Sequence, residues 1–146
     1  MINQEKINDI LNDKIESRIN AYVYLKRLQH KLNFSEFKNV KYLDFEKESY
    51  HFFKENNLTL NVFDRGKFFE YIKNISSESS NPLIVDNLEI IQNILFNKNQ
   101  FREFLNEMIL QKFKSKVIFV FTDIRIMKIQ KLLEENYPEK NIVIGV

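Results

Sequence analysis

Two short apolar runs are the clearest feature of the hydrophobic pattern. Residues 83–86 read LIVD and residues 117–123 read VIFVFTD, so each run ends at an acidic residue. Short runs of β-branched and aromatic residues bounded by polar turn residues are typical of strands that are buried on both faces. Because helical periodicity separates the two runs, the sequence predicts a parallel sheet with crossover helices.

The first part of the chain permits two interpretations. Ile7, Ile10 and further apolar residues at helical spacing predict a helix over residues 3–19, and AYVYL at residues 21–25 predicts a first strand. A rival interpretation continues one helix from residue 3 to about residue 32. We favour the strand, because Tyr22, Val23 and Tyr24 are consecutive and form helices poorly.

The rest of the chain alternates between strand patterns and helix patterns. Strands are predicted over residues 40–45, 83–86, 117–123 and 141–146, and helices over 26–38, 46–55, 64–75, 88–96, 99–113 and 124–136. The predicted fold is a single α/β domain over residues 1–146, with an N-terminal helix over 1–19 and a core over 20–146. That core is a three-layer sandwich, a mostly parallel sheet of about five strands with helices on both faces.

Composition narrows the class of protein. Of the 146 residues, 44% are hydrophobic and 29% are charged, which is the balance of a folded domain. The apolar runs are shorter than a membrane span requires. The absence of Cys excludes disulfides and thiolate metal sites and fits a cytoplasmic location. A net charge of +2 gives no argument for nucleic acid by itself.

The strand–helix alternation resembles the nucleotide-binding core of P-loop NTPases of the AAA+ type. LIVDN at 83–87 resembles a Walker B strand, and VIFVFTD at 117–123 resembles a sensor-1 strand. Within that superfamily, the chain size, VKYLDF at 40–45 and LIVDNLEI at 83–90 look most similar to the small P-loop subunit of BREX phage-resistance systems. The resemblance covers residues 20–146 and implies an accessory subunit of a bacterial defence or DNA-processing assembly.

The phosphate-binding loop departs from the family pattern GxxxxGK[ST]. The corresponding segment, LKRLQHKL at 25–32, keeps Lys31 for the phosphate-binding lysine, but Leu25 and His30 replace the two glycines. Leu32 replaces the hydroxyl residue that would hold Mg²⁺, and Leu cannot coordinate a metal. Asn87 stands where an active enzyme of this type usually has a glutamate. We therefore expect a binding protein without ATP turnover and without a cofactor.

Acidic residues at the strand ends suggest a second hypothesis. In the strand order that the resemblance implies, the strand ending in Asp86 lies between those ending in Asp44 and Asp123. Three carboxylates at neighbouring strand ends could hold Mg²⁺ in a nuclease or phosphoesterase, with Glu89 as a base. The simpler interpretation is that each Asp ends its strand as a turn residue or a helix N-cap.

One segment rich in basic and aromatic residues suggests a binding partner for the protein. Five basic residues accompany Tyr22, Tyr24 and Phe34: Lys26, Arg27, Lys31, Lys38 and Lys41. Basic residues interleaved with aromatic ones can contact nucleic acid, although a solvated helix face explains the same pattern. We expect protein partners in a larger complex, with nucleic acid as a further ligand and no membrane attachment.

Overall fold

The computed structural model describes residues 2–14, 19–26, 37–55, 65–88, 100–122 and 142–144. Helices and strands follow one another as α1 (Ile2–Leu11), β1 (Ala21–Lys26), β2 (Lys41–Asp44), α2 (Phe45–Glu55), α3 (Arg65–Ser77), β3 (Leu83–Asp86), α4 (Gln100–Leu110), β4 (Val117–Thr122) and β5 (Ile142–Ile144). No helix within these ranges is both long and apolar enough to cross a membrane.

The strands form one parallel sheet in the order β2-β3-β4-β1-β5. β1 pairs with β4 along its whole length, from Ala21 opposite Val117 to Lys26 opposite Thr122. The parallel α/β class predicted from the sequence is therefore confirmed. The strand over residues 21–25 is also confirmed, and the rival single helix from residue 3 to 32 is wrong.

Alternation along the strands sends side chains to two separate apolar clusters. One cluster joins Val23, Val85 and Phe119 to apolar residues of α2, α3 and α4. The other joins Tyr24 and Ile84 to residues of α1 and of the segment before β2. Successive residues of a strand point to opposite faces, so helices cover both faces of the sheet and the chain builds three layers.

Aromatic rings fill the larger cluster. The Phe104 ring centroid lies 5.0 Å from that of Phe69 and 5.4 Å from that of Phe121. Phe68 lies edge-on to Phe45 at 5.3 Å. Edge-to-face pairs at such distances add to the stabilisation from burying the rings, which is roughly 1.5–3 kcal/mol for each Phe. This packing fixes α2, α3 and α4 against one face of the sheet.

The N-terminal helix is shorter than its apolar periodicity predicts. It ends at Leu11 rather than at residue 19, because Asp13 adopts a left-handed conformation with φ of 61°. The Lys14 N–H donates to the Asp9 carbonyl and the Asp13 N–H to the Ile10 carbonyl, which is the Schellman pattern of a helix C-terminus. Ile19 is still buried in the core, but it lies just before β1.

The helix predicted over residues 99–113 also ends early, at Leu110. The Phe113 N–H donates to the Ile19 carbonyl, and the Phe113 carbonyl accepts from the Asn20 side chain at 2.9 Å. These bonds hold Phe113 against the chain that leads into β1. Ile109 continues the helical spacing of the buried Phe104, Leu105 and Met108, but it is exposed.

Other predicted elements lie outside the described residues. They are most of the helix over 26–38, the first residue of the helix over 64–75, the helix over 88–96 apart from its first residue, and the helix over 124–136. Phe68, Phe69 and Ile72, which share one face of α3 by their helical spacing, are buried.

Candidate functional site

The carboxyl ends of the parallel strands bring Lys26, Asp44, Asp86 and Thr122 to one edge of the sheet. β3 lies between β2 and β4, so Asp86 occupies the middle of this edge, and Asp44 is its register partner on β2. Ligands of open parallel sheets bind outside the carboxyl ends of the strands. This edge is therefore where a site would be expected.

Asp86 is the most buried acidic residue among those described, with 5% of its surface exposed. Its Oδ2 accepts a 2.8 Å hydrogen bond from the Tyr42 hydroxyl. Tyr42 is the register partner of Ile84, so its side chain reaches two residues further along β3 to meet Asp86. A buried carboxylate requires a donor, because an unsatisfied buried charge is costly.

Asp44 has a different structural role. Its Oδ1 accepts hydrogen bonds from the backbone N–H groups of Glu46 at 3.1 Å and Lys47 at 3.4 Å. These groups belong to the first turn of α2, where backbone donors have no partner within the helix. Asp44 is therefore the N-cap of α2, which is the simpler of the two interpretations suggested by the sequence.

The structure describes two of the four acidic residues that the sequence suggests for a Mg²⁺ site. Asp44 and Asp86 lie side by side on neighbouring strands, whereas Asp123 and Glu89 lie outside the described residues. Within the described part of the chain, no group of three or more His, Cys, Asp or Glu side chains is arranged to hold a metal ion. The two described carboxylates both accept hydrogen bonds from groups of the protein itself.

The backbone turns sharply directly after Asp86. Asn87 adopts a left-handed conformation with φ of 57°. Asn is enriched in this region because its short polar side chain tolerates it, whereas most residues with a Cβ pay a steric cost there. This geometry gives a physical reason for Asn at the position where the P-loop resemblance would lead one to expect a glutamate.

Of the segment 25–32, which matches the phosphate-binding loop, the structure describes only the first two residues. Leu25 is the fifth residue of β1, is paired with Phe121 and is 1% exposed. Its side chain therefore belongs to the core rather than to a loop. Lys26 closes β1 opposite Thr122 and is half-buried. His30, Lys31 and Leu32 lie outside the described residues, as does Arg27.

Three of the five basic residues noted in the sequence, Lys26, Lys38 and Lys41, are described by the structure. Lys26 ends β1 at the carboxyl edge of the sheet, whereas Lys41 begins β2 at the amino edge and forms an ion pair with Glu78 at 3.0 Å. Lys38 is exposed and lines an open groove of about 370 Å³ between α1 and the segment before β2. The structure therefore separates Lys38 and Lys41 from Lys26.

Comparison with protein-family models, with curated proteins and with solved structures finds no match to this chain.

Tyr42 is the site residue that the sequence did not reveal. The pattern VKYLDF predicts a strand, and its alternation places Tyr42 on the same face as Asp44. The missing information was the register between β2 and β3, which brings Tyr42 within reach of Asp86. No local pattern in either strand encodes that register.

Proposed function

We propose that this protein is a non-catalytic, P-loop-NTPase-like binding subunit. The observation that supports this proposal most is the engagement of Asp86 by Tyr42. In the P-loop interpretation Asp86 is the Walker B carboxylate, which would face the metal of a bound nucleotide. Here its Oδ2 accepts a hydrogen bond from the Tyr42 hydroxyl, and Asp44 beside it caps a helix.

The loop sequence supports the same proposal. Leu25 and His30 stand at the two glycine positions, and a Cβ atom at such positions obstructs the close approach of the backbone to phosphate. The position of β3 between β2 and β4 agrees with the strand order that the resemblance implies. A protein of this kind would act through the partners that it binds rather than through turnover.

The resemblance extends the proposal to a biological role. A degenerate P-loop core similar to the small subunit of BREX phage-resistance systems would be an accessory component of a cytoplasmic multiprotein assembly. That assembly would serve phage defence or DNA processing in bacteria. The protein partners would supply the catalytic activity that this chain lacks.

A metal-dependent nuclease or phosphoesterase is the second candidate, and one observation favours it. Asp44 and Asp86 are register partners on adjacent parallel strands, which lie roughly 4.8 Å apart. A third carboxylate from Asp123 at the end of the next strand would complete a Mg²⁺ site. In that case the Tyr42 hydroxyl would compete with the metal for Asp86, and the backbone N–H groups at the start of α2 would compete with it for Asp44.

Thermal melting with Mg²⁺ or Mn²⁺, combined with cleavage assays on DNA and RNA, separates the two candidates. A cation that binds only the folded chain raises the melting temperature as its concentration rises. We expect no such rise and no cleavage by the wild-type protein. A metal-dependent rise that disappears in Asp86→Asn, together with cleavage, would establish the nuclease and exclude the binding subunit.

A further inference from the structure

The outer face of α2 carries four exposed side chains at helical spacing: Lys47, Tyr50, His51 and Lys54. The intervals of three and four residues place them in one continuous stripe along the helix. We call these four residues the α2 stripe. It lies opposite Phe45 and Phe52, the residues through which α2 packs on the core.

Tyr50 is more exposed than Tyr42, the other tyrosine that the structure describes at the surface. The phenylalanine side chains whose burial the structure describes are buried or partly buried, whereas the Tyr50 side chain is 68% exposed. Exposing a large aromatic ring forgoes the stabilisation that its burial would give. A flat ring on a rigid helix is, however, a suitable platform for stacking another flat group.

Cationic and aromatic groups surround this ring. The Lys54 Nζ lies 5.8 Å from the Tyr50 ring centroid, and the His51 ring lies edge-on at 5.8 Å. Lys47 lies one turn before Tyr50, so the two lysines flank the ring along the helix axis. Glu48 is turned towards α3, where its Oε2 accepts a hydrogen bond from the Tyr71 hydroxyl at 3.3 Å.

Glu55 follows Lys54 at the end of α2, and the acidic residue beside the other end of the stripe is Glu46. It lies in the first turn of α2, one turn before Tyr50, where a carboxylate interacts favourably with the helix dipole. The positive charge of the stripe therefore lies at its two ends, on Lys47 and Lys54, with the Tyr50 ring between them. A partner that fits must present negative charge along its length and flat groups that can lie on an exposed ring.

We propose that the α2 stripe binds single-stranded nucleic acid. Unpaired bases would stack on Tyr50, and Lys47 and Lys54 would contact the phosphates on either side. Stacking on aromatic side chains combined with phosphate contacts is the general mode of single-strand binding, and it tolerates any base sequence. A duplex hides its base faces, so it cannot use the ring. The stripe begins in the first turn of α2, which Asp44 caps at the carboxyl edge of the sheet, but it does not depend on the function proposed for Asp86.

The test measures binding of fluorescently labelled oligo-dT of about 20 nucleotides, and of a duplex of the same length, by anisotropy at several salt concentrations. We expect binding of the single strand in preference to the duplex. Tyr50→Ala should weaken binding at least about fivefold, whereas Tyr50→Phe should retain it, because the ring and not the hydroxyl supplies the stacking surface.

Two double variants with the same change in charge provide the matched comparison. Lys47→Ala/Lys54→Ala should lower the slope of log affinity against log salt by about 1.4, since each phosphate contact on a single strand contributes roughly 0.7. Lys112→Ala/Lys114→Ala removes two exposed lysines elsewhere and should leave the slope unchanged.

Three results would overturn the proposal. They are no binding of oligo-dT by the wild-type protein, an equal loss in both double variants, or duplex binding that survives Tyr50→Ala. Binding to vesicles of anionic lipid without binding to oligo-dT would assign the stripe to a membrane surface and would also reject it. The four residues are exposed, and circular dichroism checks that each variant is folded.

Discussion

The Tyr42 hydroxyl donates a 2.8 Å hydrogen bond to Oδ2 of Asp86 and so joins two neighbouring strands at the carboxyl edge of the sheet. Tyr42 belongs to the edge strand β2 and is 41% exposed, whereas Asp86 belongs to β3 and is buried. The exposed residue thus supplies a donor to the buried one. This contact stabilises the strand pair and occupies one oxygen of the most suitable carboxylate for a metal or nucleotide site.

Replacement of Tyr42 by Phe removes this donor and keeps the ring. We expect the free energy of unfolding to fall by about 1–2 kcal/mol, because the bond is made to a buried acid and its loss leaves that acid with fewer donors. Urea denaturation measures the change. Tyr50→Phe is the matched control and should change stability by less than about 0.5 kcal/mol. Equal effects in the two variants would show that the Tyr42–Asp86 bond is not a significant stabilising contact.

Asp44 allows a test of its capping role. Asp44→Ala should destabilise the fold by about 0.5–2 kcal/mol, because the Glu46 and Lys47 N–H groups lose their acceptor. Asp44→Asn should retain most of the stability, since Asn caps helices about as well as Asp. If Asn is as destabilising as Ala in urea denaturation, the charge of Asp44 matters for another reason, and the metal interpretation gains support.

Tyr24 predicts a dependence of stability on alkaline pH. Burial raises the pKa of its hydroxyl well above the ordinary value of 10.0. Above pH 10 the unfolded chain therefore loses this proton while the folded chain keeps it, so the contribution is intact below pH 10 and decreases as the pH rises. From this residue alone we expect a loss of up to about 1.4 kcal/mol per pH unit.

The measurement for Tyr24 is urea denaturation between pH 9 and about pH 11, for the wild-type protein and for Tyr24→Phe. The unfolding free energy of the wild type should fall relative to that of Tyr24→Phe as the pH rises, because only the wild type has this titrating group. Tyr50→Phe should show no such relative change. A constant difference for Tyr24→Phe across the range would contradict the account.

Strands and the packing of helices on the sheet were predictable from local pattern. Consecutive aromatic and β-branched residues in β1 and β4 are incompatible with a one-sided helix, and they fill both faces of the sheet. Helix ends were less predictable, because Ile15 and Ile19 continue the period of α1. The left-handed Asp13 ends that helix, and nothing in the apolar spacing indicates it.

The sequence predicts where the candidate site lies, but it does not predict which side chains are in contact there. Asp44 and Asp86 were placed at strand ends from the sequence, and the parallel sheet brings those ends together. The contact with Tyr42 depends on strand register, which is fixed by packing across the whole sheet. The α2 stripe was also missed, although its spacing is visible in the sequence, because the exposure of Tyr50 follows from which face of α2 packs on the core.

Titration of the protein with ATP in the presence of Mg²⁺, followed by calorimetry and by phosphate release, tests the central claim most directly. The degenerate loop predicts no saturable binding and no hydrolysis, because the segment 25–32 lacks both glycines and the hydroxyl that a phosphate-binding loop requires. Micromolar affinity for ATP that disappears in Lys31→Ala would contradict this prediction and would show that this loop still binds a triphosphate.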